Sequence, residues 1–420
     1  MKIILINHYA GSPRHGMEFR PYYLARAWRA VGHDVTIVAA AESHVRRKSP
    51  EMRGGRIVEE LIDGVRYVWV ETPRYSGNGI GRVMNIGTFV ARVMNNRASI
   101  VGGQPPDAVI ASSTYPLDII PANAIARDAN AALLFEVHDL WPLSPIELGA
   151  MSPGHPFIRV MQWAEDKAYR DADRVVSILP CTLDHMTGRG MAADKFAHIP
   201  NGVDGSEWTE GGAELPTEHA TVLENARRSG RLIVGYAGAH GIANALDTII
   251  DAAAVLRRDP VTFVLVGQGP EKAALERRAA ELGLDNVHFL PAVAKASIPR
   301  LLAGFDVACL TLRSEPLFRY GVSPNKLFDY MMAGRPVLNA VDAGNDIVAE
   351  SRSGISVRGE NSTALADAVK AFMEMSADER DAMGVRGRKF VLEHHVYDVL
   401  AQSYMDVIAD AVRRRKSRGI

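Results

Sequence analysis

A chain of 420 residues outgrows a single hydrophobic core and calls for two domains of similar size. Its 48 Lys and Arg against 49 Asp and Glu leave a net charge of -1, which supplies no overall field for nucleic acid and excludes it as an expected partner. Cys181 and Cys309 lie in different halves with no metal-ligand or redox spacing, so both are expected as small packing residues in a reducing, cytoplasmic setting.

Ile3 to Ile6 is too short an apolar run for a signal-peptide core and reads as a first strand. No apolar run approaches a membrane span, so any membrane contact is expected to be peripheral. A helix at 19–31 and a strand at 35–39 complete a βαβ unit, the rhythm of a parallel sheet. The turn between the first strand and this helix, HYAGSPRHG at 8–16, falls at the strand's carboxyl end, where doubly wound sheets place ligands. Arg14, Gly16, Glu18 and Arg20 are its candidates for contact with a sugar or phosphate, and each also fits solvated surface.

After a strand at 65–70, the stretch 74–103 breaks the rhythm with glycines, an apolar face of Met84, Ile86, Phe89, Val90, Val93 and Met94, and cations at Arg82, Arg92 and Arg97. Such a helix fits both a surface on anionic lipid and an element packed on the sheet, since periodicity does not tell which solvent a face meets. Strands at 108–111 and 133–137 follow, and the second delivers His138-Asp139-Leu140-Trp141-Pro142 at another carboxyl end. Here His138 is the candidate to hold a sugar hydroxyl or polarise a leaving group, with Asp139 setting its tautomer. Asp171-Ala172-Asp173 has the form of a metal triplet but sits at the amino end of the next strand, the wrong edge for a ligand, so no metal is expected.

A polar, glycine-spotted crossing at 205–230 marks the domain boundary, giving domains 1–204 and 205–396 with a helix at 397–420 packing back on the first. The rhythm restarts at 232–236 and runs into Ala237-Gly238-Ala239-His240-Gly241, whose backbone amides suit a phosphate. Gly267-Gln268-Gly269-Pro270 lacks the third glycine of a dinucleotide fingerprint and reads as a tight turn.

The densest stretch is GVSPNKLFDYMMAGRPVL at 321–338. Ser323 and Pro324 suit an N-cap and first helical residue ahead of Asn325, whose helix start favours an anion, and Lys326 in the first turn favours it further. Asp329, one turn on, suits a ribose diol. Cationic runs at Arg46-Arg47-Lys48 and Arg413 to Lys416 add to the case for an anionic surface.

Together GHDV at 32–35, HDLWP, ADRVV, IPNGVD, YAG and SPNKLFDYMMAGRPVL make the whole chain resemble the family 4 glycosyltransferases, within a bacterial surface-polysaccharide subgroup that includes L-fucosamine transferases. The resemblance implies the α/β GT-B fold, two Rossmann-like domains facing a central cleft, with acceptor on the first domain and donor on the second. It implies retaining, metal-independent transfer of a sugar, an N-acetylated hexosamine or deoxyhexosamine, from a UDP-linked donor to a lipid-linked or glycan acceptor at the inner face of the cytoplasmic membrane. The nucleotide sugar is then substrate, and no cofactor is called for.

By the same resemblance Gly238, His240, Ser323, Pro324, Asn325, Lys326 and Asp329 hold the donor while His138 approaches the transferred sugar. This sequence departs from the family where an acid is replaced by Gly321 and an Arg and Lys by Ala239 and Asn244. Lys326, Arg313 and Arg319 become the candidate diphosphate cations, and Glu315 the candidate replacement acid. A nucleotide-sugar 2-epimerase, a non-catalytic nucleotide-sugar binder and a nicotinamide dehydrogenase are the rival readings.

Overall fold

The computed structural model describes residues 1–418 except Met17, Asn78, Thr209 and Glu210. Asn78 falls within the 74–103 stretch, Thr209 and Glu210 within the 205–230 crossing, and the end of the expected 397–420 helix also lies outside the described residues. The chain divides into two compact units, Met1–Asn201 joined by the helix Tyr397–Arg418, and Gly202–Val396.

In the first unit the strands are β1 (Lys2–Ile6), β2 (Asp34–Ala40), β3 (Ile57–Ile62), β4 (Val65–Val70), β5 (Ala108–Ala111), β6 (Ala132–Val137), β7 (Arg174–Ser177) and β8 (Phe196–His198). They lie in the order β3-β4-β2-β1-β5-β6-β7-β8, parallel throughout except for the antiparallel β3–β4 edge. The order reverses direction between β1 and β5, so the loops after those strands flank the switch point where α/β sheets bind ligands. Near-continuous apolar runs in β1, β2, β5 and β6 match strands covered on both faces. The C-terminal helix seals one face: the Trp28 indole donates to the Ala401 carbonyl at 3.0 Å, and Tyr23 stacks on Tyr397 with ring centroids 4.8 Å apart.

The second unit holds β9 (Leu232–Ala237), β10 (Val261–Val266), β11 (Val287–Leu290), β12 (Val307–Thr311), β13 (Val337–Ala340) and β14 (Gly354–Val357), all parallel, in the order β11-β10-β9-β12-β13-β14. Its switch point lies between β9 and β12.

Two helices were not expected from the sequence, and a third stretch, expected as a helix, shows how its apolar face is divided. The crossing at 205–230 contains a helix, Thr217–Arg228, whose buried positions are only His219, Leu223 and Ala226, too sparse an apolar stripe to announce it. Ala377–His394 is a further helix, carrying a Ser376–Glu379 capping box but interrupted by Gly384 and Gly387. Its close packing requires the first of these: a Cβ on Gly384 would stand 1.9 Å from the Gly334 carbonyl oxygen. Finally, the stretch with the Arg82 to Arg97 cations is a helix, Ile80–Asn95, that buries Ile86, Phe89 and Val93 against its own unit, while its first turns leave Ile80, Val83 and Met84 exposed.

Its cations are also engaged within the fold. Arg92 pairs with Glu71 at 2.6 Å, Arg97 with Asp128 at 2.6 Å, and Arg82 donates to the Tyr9 hydroxyl at 3.0 Å. Arg46 is buried, donating to the carbonyls of Ala10, Ala40 and Ala41, and Arg413 and Arg414 pair with Asp410. The electrostatic part of the membrane expectation therefore loses most of its charges to internal partners.

Candidate active site

At the carboxyl edge of the first sheet, β6 carries Glu136, an acid in an otherwise apolar strand and completely buried. Arg20, the first residue of the helix Arg20–Ala30, lays its guanidinium on Glu136 at 2.9 and 3.1 Å and also donates to the carbonyls of Ile199 and Pro200. The other Glu136 oxygen accepts from the Ser112 hydroxyl at 2.6 Å and faces His138 Nε2 at 3.0 Å. Burial pushes the Glu136 carboxyl upward, but Arg20 and His138 outweigh it and hold the group well below its usual range. For His138 burial works against the charge, yet Glu136 more than offsets this and raises its pKa above the ordinary 6.5.

The tautomer-setting role expected of Asp139 thus belongs to Glu136. Asp139 is exposed and makes no hydrogen bond or ion pair among the described residues. Arg20, expected at a ligand, is 2% exposed and occupied inside the unit, where it positions Glu136. Gly16, at φ +91°, closes a tight turn on Ser12 with the Arg47 backbone against it, and Arg14 reaches only Glu60, at 3.4 Å. Among the loop candidates Glu18 is close enough for its charge to act on His138.

The metal-like pair is spoken for. Asp171 accepts from Lys167 and Arg170, and Asp173 accepts from the Leu133 amide at 3.0 Å.

In the second unit the loop after β9 and the helix Asn325–Met332 are built against each other. Tyr330, on the helix, accepts from the Ala237 amide at 3.0 Å and donates to its carbonyl at 3.1 Å. The GQGP turn braces the same loop from behind: His240 N donates to Gln268 O at 2.9 Å, and a Cβ on Gly267 would lie 1.8 Å from the Gly238 oxygen. His240 is fully buried, neither ring nitrogen has a hydrogen-bond partner among the described residues, and burial with Lys272 and Lys326 nearby lowers its pKa to about 4, which favours the neutral ring.

Pro324, not Ser323, is the N-cap, and Asn325 is the first helical residue, one position later than the sequence suggests because Pro324 keeps an extended ψ of 123°. The Leu327 amide donates to the Pro324 carbonyl at 3.0 Å, while the Asn325 and Lys326 amides precede any intrahelical acceptor and no side chain among the described residues caps them. Lys326 extends from that turn to the Tyr236 hydroxyl at 3.1 Å and to Asn244 Oδ1, its ammonium 4.9 Å from the Tyr236 ring centre. A Cβ on Gly238 would come within 3.5 Å of Nζ. Lys326 meets no carboxylate among the described residues, and burial lowers its pKa to about 8.

Asp329, half-buried and without a hydrogen-bond partner among the described residues, is raised to about 7 by burial, Lys295 opposing and Glu207 adding to the shift. Near neutrality such a carboxyl both donates and accepts, which suits a diol. Arg313 stands at the β12 side of the switch point but is shared between Asp247 and Glu360, each at 3.4 Å. Arg319 is exposed and lies over the Tyr320 ring at 4.4 Å, and Glu315 is half-buried in the same loop. Of the candidate cations, Lys326 is thus the one held at the helix start without an acidic partner.

Comparison with known proteins places the same division on the sequence. Residues 15–202 match the Glycosyl transferase 4-like domain, and residues 231–375 match Glycosyl transferases group 1. The chain is a glycosyltransferase. It is 25% identical over 345 residues to WcaI of Escherichia coli (strain K12), named as a proposed colanic acid biosynthesis glycosyl transferase, covering 78% of this chain and 81% of that one. Among solved structures it resembles HepE of Anabaena in complex with UDP and glucose, with a TM-score of 0.66, 17% identity and coverage of 97% and 99% of the two chains. WaaG, a glycosyltransferase involved in lipopolysaccharide biosynthesis, gives a TM-score of 0.64 at 17% identity over 97% and 99%. The fold is GT-B, as the sequence resemblance implies.

For this glycosyltransferase two side chains escaped the sequence reading. Glu136 lies inside the strand LLFEV, where its one signal is a charge among apolar neighbours. Tyr330 lies among the apolar residues of its helix, and a buried tyrosine hydroxyl that needs a partner is the signal it offers.

Proposed function

We propose that this glycosyltransferase takes a nucleoside-diphosphate sugar, UDP-linked, on its C-terminal unit. It transfers an N-acetylated hexosamine or deoxyhexosamine, with retention, to a lipid-linked or glycan acceptor in bacterial surface-polysaccharide synthesis, as a peripheral protein at the inner face of the membrane. The observation that carries the donor reading is Lys326, a half-buried ammonium at an uncapped helix start with no acid against it among the described residues. Such a site is complete only with an anion. A solved relative in fold, HepE, was crystallised with UDP and glucose, and WcaI is named for colanic acid biosynthesis; both support the reading.

In this account the diphosphate meets Lys326 and the N–H groups of the Asn325–Met332 helix, the Gly238 loop gives it room, and Asp329 holds the ribose. As the bond from the anomeric carbon to the phosphate oxygen breaks, the cation supports the charge that develops there. The acceptor oxygen bonds to the same face and its proton passes to the departing phosphate. His138, whose charged form Glu136 favours, donates a hydrogen bond toward the transferred sugar, and Glu18 lies on the acceptor side.

A panel of UDP-, GDP- and dTDP-sugars tests this by thermal shift followed by transfer assays. The UDP-sugars are expected to raise the melting temperature, and one of them to give a glycosylated acceptor with the donor's anomeric configuration, unaffected by EDTA. An isomerised sugar from donor alone would transfer the reading to an epimerase.

A further inference from the structure

A cavity of about 690 Å³ opens in the first unit between the start of the helix Ile80–Asn95 and the segment that follows the HDLWP turn. That size suits a small-molecule pocket, and so does a wall made mainly of hydrocarbon with few polar groups. Ile80, Val83, Leu148, Met151 and Phe157 supply the hydrocarbon, and no carboxylate lines the cavity among the described residues.

The charged group in its wall is Arg82. Its Nε and Nη2 donate to the Tyr9 hydroxyl at 3.2 and 3.0 Å, and its guanidinium carbon stands 5.6 Å from the ring centres of Tyr9 and Trp141. Tyr9 follows β1 at the switch point and Trp141 belongs to the turn that carries His138, so the cationic end of the cavity borders the strand-end site. Its other limits are open to water: Ile80 is 80%, Leu148 52% and Val83 44% exposed, and Met84, next to them in sequence, is 60% exposed. An apolar cavity that continues into a rim of exposed aliphatic side chains is built for a ligand longer than the cavity itself.

We propose that this cavity binds the hydrocarbon chain of a single-chain lipid phosphate, the acceptor, with the phosphate at Arg82 and the chain running out over Ile80, Val83 and Leu148. The proposal rests on the glycosyl-transfer reading for the role of the bound lipid, and the cavity makes it a binding site whether or not the donor reading holds. The internal pairing of Arg92 and Arg97 is consistent with a surface that works by apolar contact more than by charge.

Calorimetry with decyl phosphate below its micelle threshold tests it, alongside ethyl phosphate, decanol and dihexanoyl phosphatidylglycerol. Each buried methylene adds roughly fourfold to affinity, so decyl phosphate is expected to bind at least tenfold more tightly than ethyl phosphate even if only a few carbons enter. Leu148→Asp, a change at an exposed position, is expected to abolish that gain and leave UDP affinity unchanged. Equal binding of the short and long phosphates, or a gain that survives in Leu148→Asp, overturns the site. Binding of the phosphatidylglycerol as tight as that of decyl phosphate overturns its assignment to a single-chain acceptor. UDP titrated into the same preparation keeps the two readings apart: loss of UDP binding with the chain effect intact fails the donor reading alone.

Discussion

His138→Gln is expected to lower kcat on the order of 10²-fold or more while the melting temperature stays near that of the wild type. The reason is the position of His138 at the margin of its network. Removing the imidazole leaves Arg20 and Glu136 paired at 2.9 Å, with Ser112 still donating to the acid, so the buried charges remain matched. Glu136→Gln is the contrasting case, since it strands Arg20 in the interior without a counter-charge and is expected to cost roughly 3–5 kcal/mol of stability.

The pH dependence follows from the direction of the His138 shift. Its folded pKa lies above 6.5, so the His138–Glu136 attraction is fully present below the unfolded pKa and is lost as pH rises through the folded one. Wild-type kcat is expected to fall across that same rise, because the donating form of the imidazole disappears. His138→Gln is expected to lose this limb, and a variant profile that keeps it would assign the limb to another group.

Lys326→Ala is expected to weaken UDP binding by roughly 1.5–3 kcal/mol, about ten- to a hundredfold, through loss of a charge-assisted phosphate contact. No other cation of the loop is as well placed, since Arg313 divides itself between Asp247 and Glu360. Asn244 offers a rescue. Its Oδ1 touches the Lys326 ammonium, and Asn244 occupies the place where the family resemblance puts a lysine. Asn244→Lys in the Lys326→Ala background is therefore expected to recover part of the lost affinity in calorimetry, whereas Asn244→Lys in the wild-type background would crowd an intact lysine.

Much of the fold was legible because strands buried on both faces write themselves as apolar runs, as at Ala108–Ala111, Ala132–Val137 and Val307–Thr311. Helices held by few buried side chains were not. Thr217–Arg228 and Ala377–His394 are solvated over most of their surface, and the second carries two glycines that packing demands and propensity penalises.

The strand end, glycine turn and helix start of the proposed donor cradle were legible as structural elements, while the helix start slipped by one at Pro324. The absence of the family acid at position 321 has a local cause. Gly321 stands at φ +90°, a conformation strained for any side chain, so a carboxylate placed there would cost backbone strain. What the sequence could not reveal is which charges find each other across it. Arg20 and Glu136 lie far apart in the chain, and so do Arg92 and Glu71, or Arg414 and Asp194. Only tertiary pairing turns the first into a positioning device for His138 and removes the others from a membrane-facing surface.

The account's central claim, that the Lys326 ammonium is the donor's diphosphate contact, is tested most directly by the protons taken up when UDP binds. Burial lowers the Lys326 pKa to about 8, so at pH 8 it is half charged, and a bound diphosphate restores the full charge. Calorimetry at pH 8 in buffers of differing ionisation enthalpy is predicted to show uptake of about half a proton per UDP by the wild type and none by Lys326→Ala. Equal proton uptake by both proteins, or none by the wild type, would contradict it.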